Sequence, residues 1–294
     1  MTITDTIKTT SYPPDYTLNK LERYDAFFES VRDFQDALDQ GDSSVNAVLV
    51  STDHILANVV RSIEMEKLPS IPDWLEEYER NSKFLLILPH KSNSDEFKDR
   101  SPAHVFRLNI VDEDTVPVGI TGLRSFDDFL FENLATEEEL IEYYGVPNIA
   151  SLGTQYIDIP ANIGLEEISP SIKHPYSALG YKAIFEMVML ESKRGVVAYQ
   201  NDKALKPLSK LGVRQHALCG DESRTIVDDD AVALGLEQPG LYHPLTIEAT
   251  PFSRLNDGSP AHNTKIFTDS QYAKKYSRIA ALVASQHINL IKVL

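Results

Sequence analysis

Cysteine is nearly missing from this chain of 294 residues: there is one, Cys219, beside a single Trp and four Met. One thiol excludes a disulfide scaffold and any Cys-rich metal site. Positive charge is also scarce, with 28 Lys and Arg against 44 Asp and Glu, a formal net charge of −16. That balance argues against a nucleic-acid partner, because phosphate contacts need a cationic face. No stretch approaches the roughly 18–20 consecutive apolar residues that span a bilayer, so no membrane partner is expected. The opening MTITDTIKTTSYPPDYT is polar and lacks the apolar segment of a signal peptide. These absences leave a soluble, cytoplasmic, globular protein, and the length is enough to bury a substantial core.

What is present alternates between helical and extended patterns. Residues 1–16, rich in Thr, Ser and Pro, carry no apolar period and read as a disordered leader. Residues 17–294 read as one domain, with a core over 45–220 and a C-terminal extension over 221–294. Helical spacing of Leu21, Tyr24, Phe27, Phe28, Val31 and Phe34 predicts a helix over 18–38. Valine-rich residues 45–50 predict a strand. Ser51, Thr52 and Asp53 offer N-caps for a helix carrying Ile55, Leu56, Val59, Val60 and Ile63. A short helix is expected over 72–80, then strands over 83–89, 104–111 and 116–123, with a turn at 112–115. The acidic stretch 127–144 reads as a helical insertion or lid. Further strands are expected over 150–159, 164–169, 196–200, 214–219 and 245–250. Helices are expected over 178–194, closed by Gly195, then over 201–212, and finally over 271–290. The fold class is therefore α/β (mixed α+β), with a central sheet flanked by helices and helical additions at both ends.

The informative stretch is 164–219, which reads strand, turn, long helix, strand, short helix, strand. It contains I-S-P-S-I-K-H-P-Y-S-A, from Ile168 to Ala178, and N-D-K-A-L-K-P-L-S-K-L-G-V, from Asn201 to Val213. Together these resemble the second half of the GNAT-type N-acyltransferase superfamily. Ile168 and Pro170 match its V-x-P, and Lys173 stands at the R/Q position of the following loop, which ends at Ala178. Asn201, Ala204, Lys210, Leu211, Gly212 and Val213 match its second motif. The resemblance covers about 55 residues. It departs at Tyr176, where a loop glycine belongs and a bulky ring would crowd a backbone cradle. It departs again at Leu208, where many members carry a catalytic Tyr. It implies a mixed sheet with a splayed pair of parallel strands, and an acyl-CoA or acyl-carrier-protein thioester as co-substrate. It also implies direct attack by an amine of a small molecule or peptide. A carrier thioester, presenting only its phosphopantetheine arm, would need less of the altered loop. The alternative is a catalytically inactive relative that binds a ligand or partner protein; an unrelated α+β scaffold is the third reading.

The residues of this stretch fit an anionic donor on physical grounds. A helix N-terminus exposes unpaired N–H groups at the positive end of its dipole. Residues 171–214 hold eight basic side chains and three acidic ones, a basic island in an acidic chain. The resemblance, with this physics beside it, implies donor binding at Ile168, Lys173, His174, Tyr176, Ser177, Ala178, Asn201 and Lys203. Acyl transfer to an amine needs a base and a proton donor near the thioester oxygen. Glu166 or Glu167 could be the base, only one of them facing the cleft because neighbouring strand residues point to opposite faces. Tyr199 and Tyr156 could be the donors. Cys219 and His216 lie three apart on an expected strand, on opposite faces, which spoils a nucleophile–base pair. The eight His show no zinc-binding spacing, and no metal is expected.

Overall fold

In the computed structural model, ten strands among the described residues pair into one mixed sheet, in the order β1-β10-β2-β3-β4-β5-β6-β9-β7, with β8 also on β9. The strands are β1 (Thr2–Ile7), β2 (Val45–Ser51), β3 (Ser82–Leu88), β4 (His104–Ile110) and β5 (Tyr156–Gly164). They continue with β6 (Gly195–Asn201), β7 (Gln215–Ala217), β8 (Arg224–Ile226), β9 (Gly240–Glu248) and β10 (Ile288–Val293). Among the described residues three helices accompany them: α1 (Lys20–Asp33), α2 (Ile55–Lys67) and α3 (Tyr176–Leu190). The structure describes residues 2–7, 17–33, 45–67, 79, 82–88, 102–110, 155–165, 176–201, 215–217, 224–226, 240–249, 283 and 285–293. The elements expected over 72–80, 116–123, 127–144 and 202–212, and the turn at 112–115, lie outside them, apart from Glu79.

The mixed α+β class follows from how the sheet is covered. α3 packs on one face, against Leu49, Leu85, Phe106, Ile157, Val196 and Leu290. α1 and α2 pack on the other, against Val48, Val50, Phe84, Leu86, Val105 and Ile291. Strands buried on both faces need apolar residues without alternation, which is why β3 reads FLLIL through its middle. α3 is apolar nearly all round for the same reason. It also comes unusually close to the sheet. A Cβ on Gly180 would stand 2.3 Å from the Phe106 ring, so only glycine lets the helix lie there.

Several boundaries differ from expectation for identifiable reasons. Residues 2–7 are not a disordered leader: they form β1, parallel to β10. Their alternation of Thr and Ile is a β-former that the polar composition masked. The C-terminal helix does not reach residue 290. Residues 288–293, INLIKV, form β10 between β1 and β2, and the buried Asn289 amide donates to Asn46 Oδ1 at 3.0 Å. The described part of the C-terminal extension supplies β8, β9 and β10 to the sheet, along with residues 283 and 285 in helical conformation, rather than a helical addition alone. Gly195 does not cap α3. The helix closes at Ser192, whose φ of 55° is left-handed. Lys193 N–H bonds Val188 O and Ser192 N–H bonds Met189 O, the two bonds of a Schellman end. Gly195 serves another need, since a Cβ there would meet Ile247 O of β9 at 2.0 Å. At the start of α2 the cap is His54, whose ring Nδ1 accepts the Leu56 N–H at 3.1 Å, in place of Ser51, Thr52 or Asp53.

Candidate functional site

The parallel pair β5 and β6, joined through α3, parts company within the sheet. The two strands are paired from Tyr156–Gly195 to Ile159–Ala198 and no further. β5 runs on to Gly164 against β4, and β6 runs on to Asn201 against β9. Each strand thus keeps its outer neighbour and loses its inner one. At about 3.3 Å per residue, the three positions of β6 beyond Ala198 make this fork roughly 10 Å deep. Inner-edge N–H and C=O groups in it have no ladder partner across the gap.

A β-bulge lies where the fork opens. Asn109 pairs with Asp158 and Arg107 with Ala161, so Leu108 faces both Ile159 and Pro160. Proline has no N–H to give a ladder, and a bulge is one of the few strand positions that tolerates it. The extra residue bends β5 and reverses its alternation. Ile157 and Ile159 face α3 before the bulge, and Asn162 faces α3 after it, donating to the Tyr181 hydroxyl at 3.1 Å. On that face His104 Nε2 also bonds Asn162 Oδ1. Burial lowers the His104 pKa to about 4, against the opposing pull of its bond to Asn162.

α3 runs back from the end of β5 to the start of β6, so its N-terminus stands at the open end of the fork. This is where α/β sheets commonly take ligands. Tyr176 opens the helix, and it joins the core on the α3 face with Ala178. Ser177 is half-buried. Asn201 is the last residue of β6, opposite Tyr242, and Tyr199 is opposite Pro244. Tyr156 is fully buried at the closed end of the fork, paired with Gly195. Glu166, Glu167, Ile168, Lys173, His174 and Lys203 lie outside the described residues. The short strand expected over 164–169 is replaced at its start: Gly164 closes β5, and Leu165 follows with its N–H on Ala103 O.

Two members of the basic island, Lys182 and Arg194, have partners within the fold. Lys182 is buried, and its ammonium donates to the carbonyls of Val283 and Gln286, the former at 3.0 Å. Burial lowers its pKa, opposed by Glu186. Arg194 pairs with Glu248 at 3.5 Å.

Sequence reasoning missed a buried polar network on the α1/α2 face. Arg107, on β4, is fully buried and bonds Glu64 through Nε at 3.0 Å and again through a second nitrogen. It reaches Glu79 at 2.6 Å and the Ser82 hydroxyl at 3.3 Å. Arg61 pairs with the same Glu79 and with Asn58. Both guanidinium groups lie over the Phe84 ring, that of Arg61 at 5.2 Å and that of Arg107 at 4.7 Å from its centroid. Burial alone would lower the Arg107 pKa, but Glu64 and Glu79 outweigh it and raise the value. Burial would raise that of Glu79, but the two arginines hold it below the usual carboxylate value. The network continues toward the fork. Ser82 donates to Asn109 Oδ1 at 3.1 Å, and Asn109 donates to Asp158 Oδ2 at 3.2 Å. Asp158 is fully buried, one residue before the ladder between β5 and β6 ends. Its one sequence signal was a carboxylate inside an apolar strand. A buried carboxylate beside an opening in a sheet can accept a proton or hold an amine.

Among the described residues, no group of three or more His, Cys, Asp or Glu is placed to hold a metal ion. No helix among them is long and apolar enough to cross a membrane. The chain matches no protein-family model and no curated protein sequence.

Proposed function

We propose that the protein is a GNAT-type N-acyltransferase, moving an acyl group from an acyl-CoA or acyl-carrier-protein thioester to an amine by direct attack. The observation that carries this reading is the fork. Paired strands that separate after Ile159 and Ala198, with a helix N-terminus at the open end, offer an extended thioester arm a gap whose two strands no longer pair with each other. The splayed parallel pair is also what the Ile168–Ala178 and Asn201–Val213 motifs imply.

In this reading the pantetheine arm lies between β5 and β6, and its phosphates lie toward the N-terminus of α3 with Lys173, His174 and Ser177. The amine approaches the thioester carbon from the α1/α2 face. Its nitrogen forms the new bond to that carbon, the thiolate leaves, and one amine proton passes to a carboxylate. Asp158 joins Glu166 and Glu167 as the candidate base, and Asn109 orients it. Tyr199, on the forked part of β6, remains a candidate donor to the departing thiolate.

The test is a mass-spectrometric assay of amine acylation with acetyl-, hexanoyl- and decanoyl-CoA, followed by variants at saturating donor. Asp158→Asn should lower kcat about 10²–10⁴-fold, the span of a lost general base, and leave donor affinity nearly unchanged. Glu166→Gln and Glu167→Gln are the comparison. If no thioester is consumed and coenzyme A leaves the melting temperature unmoved, the fork is not a thioester site.

A further inference from the structure

A cavity lies between α1 and α2, on the sheet face opposite α3 and beside the end of β5, with a volume of about 260 Å³. It forms because the two helices meet the sheet where β4 begins and β5 ends, so that Pro102 and Leu165 close it from below. Its chemistry is sorted by position. Phe27 of α1 with Val59 and Ile63 of α2 makes one end apolar. Lys20 and Arg23 of α1 with Glu66 and Lys67 of α2 make the other end charged.

The charged end is unbalanced. Glu66 is committed to Arg23, with which it forms an ion pair. Lys20 and Lys67 stand near enough to bias the same carboxylate. Among the described residues neither of the two takes an ion pair of its own. Three cations around one carboxylate leave a local excess of two positive charges, on a chain whose overall charge is −16. Tyr24, between the two ends and partly exposed, adds a phenol at the mouth. The volume falls just below the roughly 300 Å³ at which drug-sized sites begin, so the occupant is small.

We infer that this cavity binds a small amphipathic carboxylic acid, its carboxylate between Lys20 and Lys67 and its hydrocarbon body against Phe27, Val59, Ile63 and Leu165. The site goes beyond the proposed acyltransferase activity and stands independently of what occupies the fork. An ammonium would be repelled at the charged end, a bare phosphate would leave the apolar end wet, and a neutral alcohol would use only half the cavity.

The experiment is calorimetric titration of the full chain with octanoate, 1-octanol, octylammonium and inorganic phosphate. Octanoate should bind once per chain, at least about tenfold tighter than octanol, and more weakly as salt screens the exposed lysines. Octylammonium and phosphate should not saturate. Lys20→Glu with Lys67→Glu alters only exposed side chains. It should cut octanoate affinity at least about tenfold and leave octanol binding unchanged. Val59→Phe, which fills the apolar end, should abolish both. Coenzyme A, the probe for the fork, should not compete with octanoate, so failure here and failure at the fork are distinguishable. The inference is overturned by absent octanoate binding, by equal affinity for octanoate and octanol, by charge reversal without effect, or by competition from coenzyme A.

Discussion

Replacing Arg107 with Met tests how far the fold depends on the buried network. Arg107 and Glu64 are both fully inaccessible and doubly bonded to one another, and Arg107 also holds Glu79 and Ser82. Methionine keeps much of the aliphatic volume and removes the charge. Glu79 retains Arg61, but Glu64 loses both bonds it takes from Arg107. Stranding one member of a buried ion pair costs about 3–5 kcal/mol, most of it the penalty of an uncompensated buried charge. For a chain of this size that corresponds to a fall in Tm on the order of 10 °C. Urea denaturation of the wild type, Arg107→Met, Glu64→Leu and the double variant completes a cycle. The double variant should recover much of the loss, because removing both charges removes the desolvation penalty as well. A loss below about 1 kcal/mol in Arg107→Met, a value typical of exposed pairs, would refute the reasoning. So would a double variant whose loss is the plain sum of the two single ones.

Three further outcomes are expected. His54 and His104 both have pKa values lowered by burial to about 4, so the unfolded chain binds more protons between pH 4 and 6.5. The stability they confer should be complete above pH 6.5 and fall as the pH drops toward 4. His54→Asn, which keeps a cap oxygen, should flatten that decline in a urea series at stepped pH, and an unchanged slope would sink the assignment. Ser192→Gly should raise stability by about 0.5–1 kcal/mol in the same assay, because a serine at φ 55° carries left-handed strain that glycine lacks; a loss would mean its side chain matters more than its backbone. Gly180→Ala should destabilise by about 1–3 kcal/mol by driving a methyl into Phe106, and Phe106→Leu should partly rescue it. Equal stability of Gly180→Ala and the wild type would show that the helix can move off the sheet at no cost.

Local pattern alone was enough for elements whose side chains repeat the period of their own backbone. The apolar spacing of 55–63 defines α2, the runs 45–50 and 83–88 define β2 and β3, and the long apolar stretch ending near 190 defines α3. Where two local readings compete, the sequence could not choose. INLIKV can continue a helix or form a strand, and only a place beside β2 made it β10. Thr2–Ile7 has the alternation of a strand but needed the β10 edge to become one. Asn201 was legible as a residue at the end of β6. A splayed pair was expected only through the resemblance, and the point where it opens was not legible, because it depends on where a parallel pairing between residues about 40 apart stops, and on the bulge at Pro160. The buried network is the clearest case of a tertiary decision. Arg61 and Glu64 stand among apolar neighbours on one helix and Arg107 in an apolar strand, each of which reads alone as a misplaced charge. Only the tertiary packing that brings Glu64 of α2 to Arg107 of β4, and Glu79 to both arginines, cancels those charges, since the free energy of a buried charge depends on what faces it and not on where it lies along the chain.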